Sequence, residues 1–361
     1  MRRCLATVTL GALLLLAACT DGEPDAEPSP APEAEGADEA EDPPATGLRI
    51  GVVLPPRDLG AADEVEAGPL GLDRLDTGHR DDVAELRTVV PDAAVFVPDV
   101  ARLLVAEGYD LVCVLGRDAA EVVAELARRH AATDFCAAPA EPADEEAPGN
   151  LLLVDVAMAE LGHIVGVTLH ELAGDDPVAL LGVGNRAGGE SFRSGLRAGA
   201  GATPLREARG DLEDLEAEID AALDDEVVAI AVDAGPDAAE LVAGFEEVAV
   251  LAPVSLLSEE DAGALRWRVR WERVLEVVLA HLLNGETELP RVLGVAEEAF
   301  AIDHGPQAGG ALVDAVEEAM GELERGERDP LEPLEEEDDD EDGDDADDGE
   351  DTTAPDVPEE P

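Results

Sequence analysis

Several polar side chains closely follow apolar runs that have the length and composition of β-strands. The candidates are Asp58, Asp118, Asn185 and Asp233. Carboxylate and amide oxygens accept hydrogen bonds from the hydroxyl or amino groups of a small ligand. Phe192 adds an aromatic ring that could stack on a flat ligand. These five residues form the candidate ligand-binding set.

Each candidate also has a purely structural explanation. Asp118 stands directly before an apolar helical stretch, where a carboxylate commonly caps the helix N-terminus. The other polar candidates fit solvated loops equally well, and Phe192 fits a hydrophobic core. Asn185 and Asp233 are favoured for binding because they lie at the ends of strong strand candidates: Asn185 comes after Val178–Val183, and Asp233 ends Val227–Asp233.

Motifs for bond chemistry are missing from the sequence. No Gly-x-Ser-x-Gly elbow and no phosphate-binding P-loop occurs, and His170-Glu171 lacks the second histidine of a zinc-binding helix. The acidic run that begins at Asp338 opens like a calcium loop, but its twelfth position is Gly349 rather than glutamate. We therefore expect a protein that is not an enzyme, uses no cofactor and has no metal site.

The elements that would carry these residues alternate between apolar strands and amphipathic helices. Continuous apolar strands between helices are typical of parallel sheets covered on both faces, where ligands bind beyond the carboxyl ends of the strands. The pattern starts again near residue 178, so we predict an α/β chain with two Rossmann-like doubly wound lobes. The predicted strands are Leu48–Leu54, Leu86–Val90, Asp110–Leu115, Asp134–Ala137, Leu151–Asp155, Val178–Val183, Val227–Asp233 and Val248–Ala252. The predicted helices are Pro98–Glu107, Ala119–Arg129, Ala157–Leu172, Gly189–Ala198, Leu212–Leu223, Asp237–Phe245 and Arg266–Leu283.

The first 18 residues have the features of a secretory signal peptide. Two arginines precede the apolar stretch Leu5–Leu16, which is too short to span a bilayer as a helix. Leu16-Ala17-Ala18-Cys19 resembles a bacterial lipobox, which implies a lipid on Cys19. A plain secretory signal is the alternative. With the lipid, the protein would be held on the extracytoplasmic face of the cell membrane.

Acidic residues dominate the composition. The chain has 87 acidic and 23 basic residues, all of the latter arginine, and a net charge of −64. Residues 20–46 hold 10 acidic residues and residues 331–361 hold 18, with few large apolar side chains. We predict a disordered linker over 19–46 and a disordered tail over 331–361. Residues 47–330 keep 59 acidic residues and 21 arginines, which argues against nucleic acid and anionic lipid as direct ligands and fits a salt-loving host.

Two features of the body leave alternatives open. Cys113 and Cys136 lie in successive predicted strands, where they are either a disulfide or two buried thiols, because sequence does not establish disulfide geometry. Four arginines cluster at residues 266–273. They form either a solvated face that pairs with acidic residues or a docking surface for a partner.

Three segments resemble the basic membrane protein (BMP) family. The run PDVARLLVAEGYDLV over 98–112, followed by Gly116, is similar to the family's "L…L…EGYDLV…G" segment. Residues 160–166 (ELGHIVG) resemble the family's "EGSFLAG" helix start. Residues 178–184, with Phe192, Gly195, Ala198 and Gly199, resemble its "VGFVGG…F..GF.AG" segment, and the order agrees across roughly residues 48–325.

The resemblance implies a substrate-binding lipoprotein of an ABC importer with the periplasmic-binding-protein type I fold. Two lobes joined by three crossovers would close on the ligand. Lobe one would comprise about residues 47–156 and 256–286, and lobe two about 157–255 and 287–330. Many family members bind purine nucleosides. The implied partners are therefore a nucleoside-like small molecule, an ABC permease and the membrane, with the protein itself a monomer.

The chain departs from the family at two ligand loops. Where the family has "DGGxNDxSFN" after the first strand, residues 55–60 read PPRDLG, with Asp58 the counterpart of the family's aspartates and no aromatic. Where the family has "GVDSDQ", residues 251–255 read LAPVS and lack its carboxylate. A second function is therefore a relative without a transport role, acting as a surface ligand sensor or a structural lipoprotein.

Overall fold

A computed structural model describes most of residues 47–334, and the strands, helices and contacts of the fold are those of the described residues. The described residues are 47–54, 81–116, 119–140, 148–183, 189–210, 212–234, 238–242, 248–254, 256, 263–284 and 292–334. The chain divides into two units, Met1–Pro44 and Ala45–Pro361, and all described residues belong to the second.

The first sheet contains five parallel strands in the order β2-β1-β3-β4-β5. They are β1 (Leu48–Val53), β2 (Val83–Val89), β3 (Leu111–Leu115), β4 (Asp134–Ala138) and β5 (Leu151–Leu153). Helices α1 (Val97–Ala106) and α2 (Ala119–Arg129) contribute to one core cluster with β1, β3 and β4. This sheet and its helices form the first lobe.

Cys113 and Cys136 are joined by a disulfide within this lobe. They are register partners on the neighbouring strands β3 and β4, with their Cα atoms 4.4 Å apart. Both side chains are buried. Strand register, which the sequence does not display, therefore decides between the disulfide and the pair of thiols in favour of the disulfide.

The second sheet contains six strands in the order β13-β11-β10-β9-β7-β8, of which only β13 runs antiparallel to its neighbour. They are β7 (Val178–Val183), β8 (Leu205–Gly210), β9 (Ala229–Asp233), β10 (Ala249–Pro253), β11 (Leu265–Val269) and β13 (Phe300–His304). The associated helices are α3 (Met158–Ala173), α4 (Gly189–Ala200), α5 (Leu212–Asp224), α6 (Ala239–Val242) and α8 (Gly310–Glu324). Together they form the second lobe.

The prediction of a helix over 266–283 is wrong for the first residues of that range. Residues 265–269 form strand β11, and helix α7 covers Trp271–Asn284. Leu265, Trp267 and Val269 are buried on β11, while the arginines between them are less buried, which is the period of a strand. Because β11 pairs with β10 and β13, residues 265–269 belong to the second sheet and not to lobe one, where the mapping placed them.

A third, two-stranded sheet is formed by segments that lead into the second lobe. β6 (Asp155–Val156) precedes α3, and β12 (Val292–Leu293) precedes β13. The two strands pair in parallel. The Ala157 amide also donates a 2.8 Å hydrogen bond to the Leu293 carbonyl. Two stretches far apart in sequence are thus held side by side where the chain enters the second lobe.

Helices α3 and α4 pack with their backbones in close contact. A Cβ at Gly162 would lie 1.9 Å from the Phe192 carbonyl oxygen, and a Cβ at Gly199 would lie 2.1 Å from the His163 carbonyl oxygen. Gly166 and Gly195 face the partner helix at comparable distances. The four-residue spacing of glycine on both helices therefore fixes how closely they approach.

The C-terminal end of the described chain returns to this helix pair. The Leu334 amide donates a 3.1 Å hydrogen bond to the carbonyl of Ala198 on α4. A Cβ at Gly201 would lie 3.2 Å from the Leu334 Cβ. Leu334, within the segment predicted to be disordered, therefore contacts the second lobe, whereas Leu331 is exposed. Residues 335–361 lie outside the described part.

Candidate functional site

Two of the five predicted ligand-binding residues, Phe192 and Asp233, lie in the described structure. Asp58, Asp118 and Asn185 lie outside the described residues, as does the lipidation candidate Cys19. The structure therefore locates the site through β9, which ends at Asp233, and through α4, which carries Phe192.

Asp233 stands at the carboxyl end of β9. It is the last residue of the strand, is partly buried, and is the register partner of Gly182 on β7. A Cβ at Gly182 would lie 3.6 Å from the Asp233 carbonyl oxygen, which is an ordinary contact distance. Both residues line a cleft at this strand end.

A cleft of about 310 Å³ opens at this edge of the second sheet. Three neighbouring strands and helix α4 enclose it. Its lining residues are Leu180 and Gly182 of β7, Glu207, Ala208 and Arg209 of β8, Asp233 of β9, and Glu190, Arg193 and Arg197 of α4. Gly182, Arg209 and Asp233 lie at or next to the carboxyl ends of their strands, the position at which parallel α/β sheets bind ligands.

The charges of the cleft balance, unlike those of the chain as a whole. Three arginines and three carboxylates line it, whereas residues 47–330 hold 59 acidic residues against 21 arginines. The cleft is therefore far less acidic than the rest of the body. It offers guanidinium donors and carboxylate acceptors side by side, so it can hydrogen-bond a ligand that carries both kinds of polar group.

Ion pairs orient these side chains. Arg193 hydrogen-bonds Glu190, and Arg197 binds both carboxylate oxygens of Glu207, one of them at 2.7 Å. The hydrogen bond from Arg193 lowers the pKa of Glu190, and the hydrogen bond to Glu207 raises the pKa of Arg197. Asp233 and Arg209 each have an interaction partner as well. The Arg193–Glu190 and Arg197–Glu207 pairs thus orient four of the charged side chains of the cleft.

Phe192 lies in the core and not among the residues of the cleft wall. Its side chain is 2% exposed, and its ring centroid is 5.8 Å from that of Trp267, with the planes tilted by 32°. Both rings belong to the main core cluster. In the described structure the Phe192 ring therefore packs against Trp267 and has no open face on which a ligand could stack.

Sequence reasoning missed the α4 and β8 side of the cleft. Glu190, Arg193 and Arg197 have the i, i+3 and i+7 spacing that places side chains on one helix face, so a search for polar helix faces would have found them. Glu207 and Arg209 lie on β8, which was not predicted. Their alternating charges give no apolar signal for a strand at the edge of a sheet.

The arginine cluster at residues 266–273 pairs with acidic residues. Arg268 and Arg270 contact Glu272, and Arg273 contacts Glu276 at 3.0 Å. Glu272 and Glu276 are both buried. The structure therefore favours the first alternative, in which these arginines pair with nearby acidic residues, over a docking surface for a partner.

The described residues contain no group of three or more histidine, cysteine, aspartate or glutamate side chains placed to hold a metal ion. Within the same ranges, no helix has the length and apolar character needed to cross a membrane.

Comparison with known proteins identifies the fold. No protein-family model and no curated protein matches the sequence. A solute-binding protein of an ABC transporter system from Conexibacter woesei is similar in structure, with a TM-score of 0.57, 18% identity, and coverage of 78% of this chain and 98% of that chain. A periplasmic solute-binding protein from Actinobacillus succinogenes with bound D-allose has a TM-score of 0.51 and 13% identity, covering 72% and 98%. A transcriptional activator of the comK gene from Bacillus halodurans has a TM-score of 0.60 and 12% identity, covering 78% and 99%.

These similarities, together with the two sheets, show the class of fold. The chain has the periplasmic-binding-protein type I fold, an α/β architecture with two parallel-sheet lobes, which ABC solute-binding proteins share with transcription regulators. The predicted fold class is confirmed. At these identities the likeness concerns the fold alone.

Proposed function

We propose that this chain is a lipid-anchored, extracytoplasmic solute-binding protein of the BMP type, which captures a small ligand for an ABC importer. The observation that carries the proposal is the charge-balanced cleft at the carboxyl ends of β7, β8 and β9. The resemblance of residues 98–112 and 160–166 to BMP segments supports the family assignment. Closure of two lobes on the ligand, with no bond chemistry, would be the mechanism.

The proposed ligand presents both hydrogen-bond donors and acceptors. The carboxylate of Asp233 would accept from a ligand hydroxyl, and Arg193 or Arg209 would donate to a ligand oxygen. A nucleoside meets these requirements through its ribose and base, and the BMP resemblance makes nucleosides the first class to test. Because the Phe192 ring is buried against Trp267, base stacking on Phe192 is not part of the proposal.

A thermal-shift screen in high salt tests ligand capture. Nucleosides, neutral sugars and other small metabolites are added separately to the protein in molar KCl. A ligand at 100 times its Kd should stabilise the folded protein by about 2.7 kcal/mol. A stabilising nucleoside would support both the function and the ligand class, whereas no response to any compound would contradict ligand capture.

Replacement of Asp233 tests the position of the site. For a compound that binds in the screen, Asp233→Ala should weaken affinity roughly 10- to 100-fold, the loss expected for a hydrogen bond to a charged group. Asp220→Ala, at an exposed position of α5, is the matched control and should leave the Kd unchanged. An unchanged Kd for Asp233→Ala would place the ligand elsewhere.

Replacement of Cys19 tests the anchor. Two or more acyl chains hold a protein firmly on a membrane, so Cys19→Ala should release the protein from the membrane fraction into the medium. Fractionation followed by immunoblotting measures the release. Membrane retention of the variant would contradict lipidation at this cysteine.

A second candidate function is a ligand sensor or structural lipoprotein without a transport role. It is favoured by the end of β10, which reads Ala252-Pro253 and carries no carboxylate where the BMP family has one. Deletion of the gene distinguishes the two functions. Loss of uptake of a compound that the purified protein binds supports transport, and normal uptake of that compound supports the sensor.

A further inference from the structure

Where the chain enters the second lobe, a side-chain hydrogen bond accompanies the β6–β12 strand pair. Glu160 lies in the first turn of α3, the helix that follows β6. Its Oε2 accepts a 2.7 Å hydrogen bond from the amide of Val295, in the turn that follows β12. The two residues are 135 positions apart in sequence. One carboxylate therefore joins the two segments that lead into this lobe.

A second carboxylate holds the adjacent amide. Glu297 Oε2 accepts a 2.9 Å hydrogen bond from Gly294. The Glu298 amide returns to the Val295 carbonyl at 2.9 Å, and Glu298 adopts a left-handed φ of 56°, which is uncommon for a residue with a side chain. Residues 294–298 are thus fixed in a tight turn, with its first two amides bound by glutamates.

Gly294 leaves the space that the Glu160 carboxylate occupies. A Cβ at position 294 would lie 2.2 Å from Glu160 Oε2, and the three nearest atoms all belong to that carboxylate. Since the carboxylate is the end of a flexible side chain, an added methyl group would displace it from the Val295 amide without moving backbone. The hydrogen bond between Glu160 and Val295 therefore requires a glycine at position 294.

The same turn is bound to the start of α7. The Arg273 Nε donates a 2.9 Å hydrogen bond to the Glu297 carbonyl, and the Arg270 amide donates one of 2.8 Å to the Ala299 carbonyl. β11 of the second sheet lies directly before Arg270. The turn 294–299 therefore contacts both the first turn of α3 and the junction between β11 and α7.

The Glu160 carboxylate is held in a poorly solvated place. Burial raises its pKa, the hydrogen bond from Val295 opposes that shift, and the nearby negative charge of Glu297 adds to it. A partly buried charged acceptor depends on the few donors that reach it. The Val295 amide is such a donor, so the position of the Glu160 carboxylate depends on the Glu160–Val295 hydrogen bond.

We propose that Glu160 is the positioning residue of the interlobe hinge: its carboxylate, accommodated by Gly294, couples α3 to the turn after β12 and so limits how far the two lobes swing apart. The inference adds to the proposed ligand capture, which requires lobe closure. Its test uses no ligand, so failure of the hinge and failure of ligand capture are distinguishable.

Amide hydrogen exchange tests the coupling. In the full chain, peptides that cover residues 292–299 should exchange roughly 10-fold faster in Glu160→Ala than in the wild type, as expected for the loss of a hydrogen bond to a charged acceptor. Gly294→Ala should accelerate exchange to a similar extent, and the double variant should be no faster than either single variant. Glu160→Gln keeps an acceptor oxygen and should retain most of the protection.

Matched controls separate this effect from general destabilisation. Glu121→Ala changes an exposed glutamate in the first turn of α2, and Gly309→Ala adds a methyl group where no atom lies within 4 Å. Neither should change exchange over residues 292–299. Unchanged exchange in Glu160→Ala, or additive effects in the double variant, would overturn the coupling.

A distance measurement tests the hinge itself. Nitroxide-bearing unnatural amino acids at Glu125 on α2 and Asp220 on α5, both exposed, report the separation of the two lobes by pulsed electron paramagnetic resonance. The distance distribution should be broader in Glu160→Ala and Gly294→Ala than in the wild type and in both controls. A distribution of unchanged width would overturn the hinge role even if exchange is faster.

Discussion

Tyr109, the single tyrosine of the chain, shows how individual polar residues stabilise the first lobe. Its hydroxyl donates a 2.6 Å hydrogen bond to Glu85, which also accepts a 2.9 Å bond from the Arg49 Nε. The Arg49 guanidinium carbon lies 4.5 Å from the centre of the Tyr109 ring. The buried Tyr109 side chain thus contacts both members of the Arg49–Glu85 ion pair, which joins the edge strand β2 to β1.

Removal of this hydroxyl should cost stability in a pH-dependent way. The hydrogen bond from Tyr109, followed by that from Arg49, lowers the pKa of Glu85. A lowered carboxyl pKa contributes stability above the usual pKa of glutamate, and this contribution is lost as pH falls through the lower folded-state value. Tyr109→Phe should therefore reduce the free energy of unfolding at pH 7 by about 1 kcal/mol, and by less in acid.

Urea unfolding at fixed salt, between pH 7 and the acid limit of solubility, measures this difference. Arg102→Gln, which breaks an exposed ion pair with Asp99 on α1, is the control and should have little effect at any pH. A loss in Tyr109→Phe that stays constant across the pH range would contradict the role assigned to Glu85.

At the scale of elements, glycines decide how α3 and α4 pack. The sequence suggested the positions of Gly195 and Gly199 through a family motif, but not their purpose. In the structure a Cβ at Gly195 would lie 1.9 Å from the Ala159 carbonyl oxygen, which is backbone and cannot move aside as a side chain does. The contact is therefore specific for glycine.

Gly195→Ala should separate the two helices and destabilise the second lobe. Overpacking of a close contact typically costs about 1–3 kcal/mol, and this distance predicts the upper part of that range. Gly310→Ala, at the open start of α8, adds the same methyl group where no atom lies within 4 Å and should be neutral or slightly stabilising. Equal unfolding midpoints for the two variants in urea would contradict the packing argument.

The segment that became β11 and the start of α7 shows why element prediction failed there. Trp267, Trp271, Val274 and Val278 fit one helical stripe, and the same stretch alternates arginine with apolar residues in the period of a strand. Pairing of Trp267 with Pro253 of β10 and Ile302 of β13 favours the strand. Local pattern is ambiguous here, and long-range pairing resolves it.

At the scale of the whole molecule, the dominant feature is the excess of acidic over basic residues. With 59 acidic residues and 21 arginines between residues 47 and 330, repulsion opposes compaction at low ionic strength. Salt at 1 M reduces the screening length to about 3 Å, against about 10 Å at 0.1 M. Repulsion between separated carboxylates is then largely removed, while close pairs such as Arg197 with Glu207 are affected less.

We therefore expect stability to rise with salt concentration. The thermal unfolding midpoint should increase between 0.1 and 2 M KCl, most steeply below 1 M. Sucrose at matched osmolality serves as the control, because it lacks screening and should not reproduce the steep part of the curve. A midpoint that is independent of KCl would contradict the proposal of a salt-loving host.

The sequence by itself determined the α/β class, the two-lobe repeat and the candidate position of Asp233, because apolar strands and amphipathic helices are local periodic patterns. Only the tertiary structure decided the partners of Cys113, the role of Phe192 and the opposite wall of the cleft. These depend on strand register and on contacts between distant segments, which local pattern does not encode. For the same reason the carboxylate of Glu160 became a candidate hinge residue only when Val295, 135 positions away, was placed beside it.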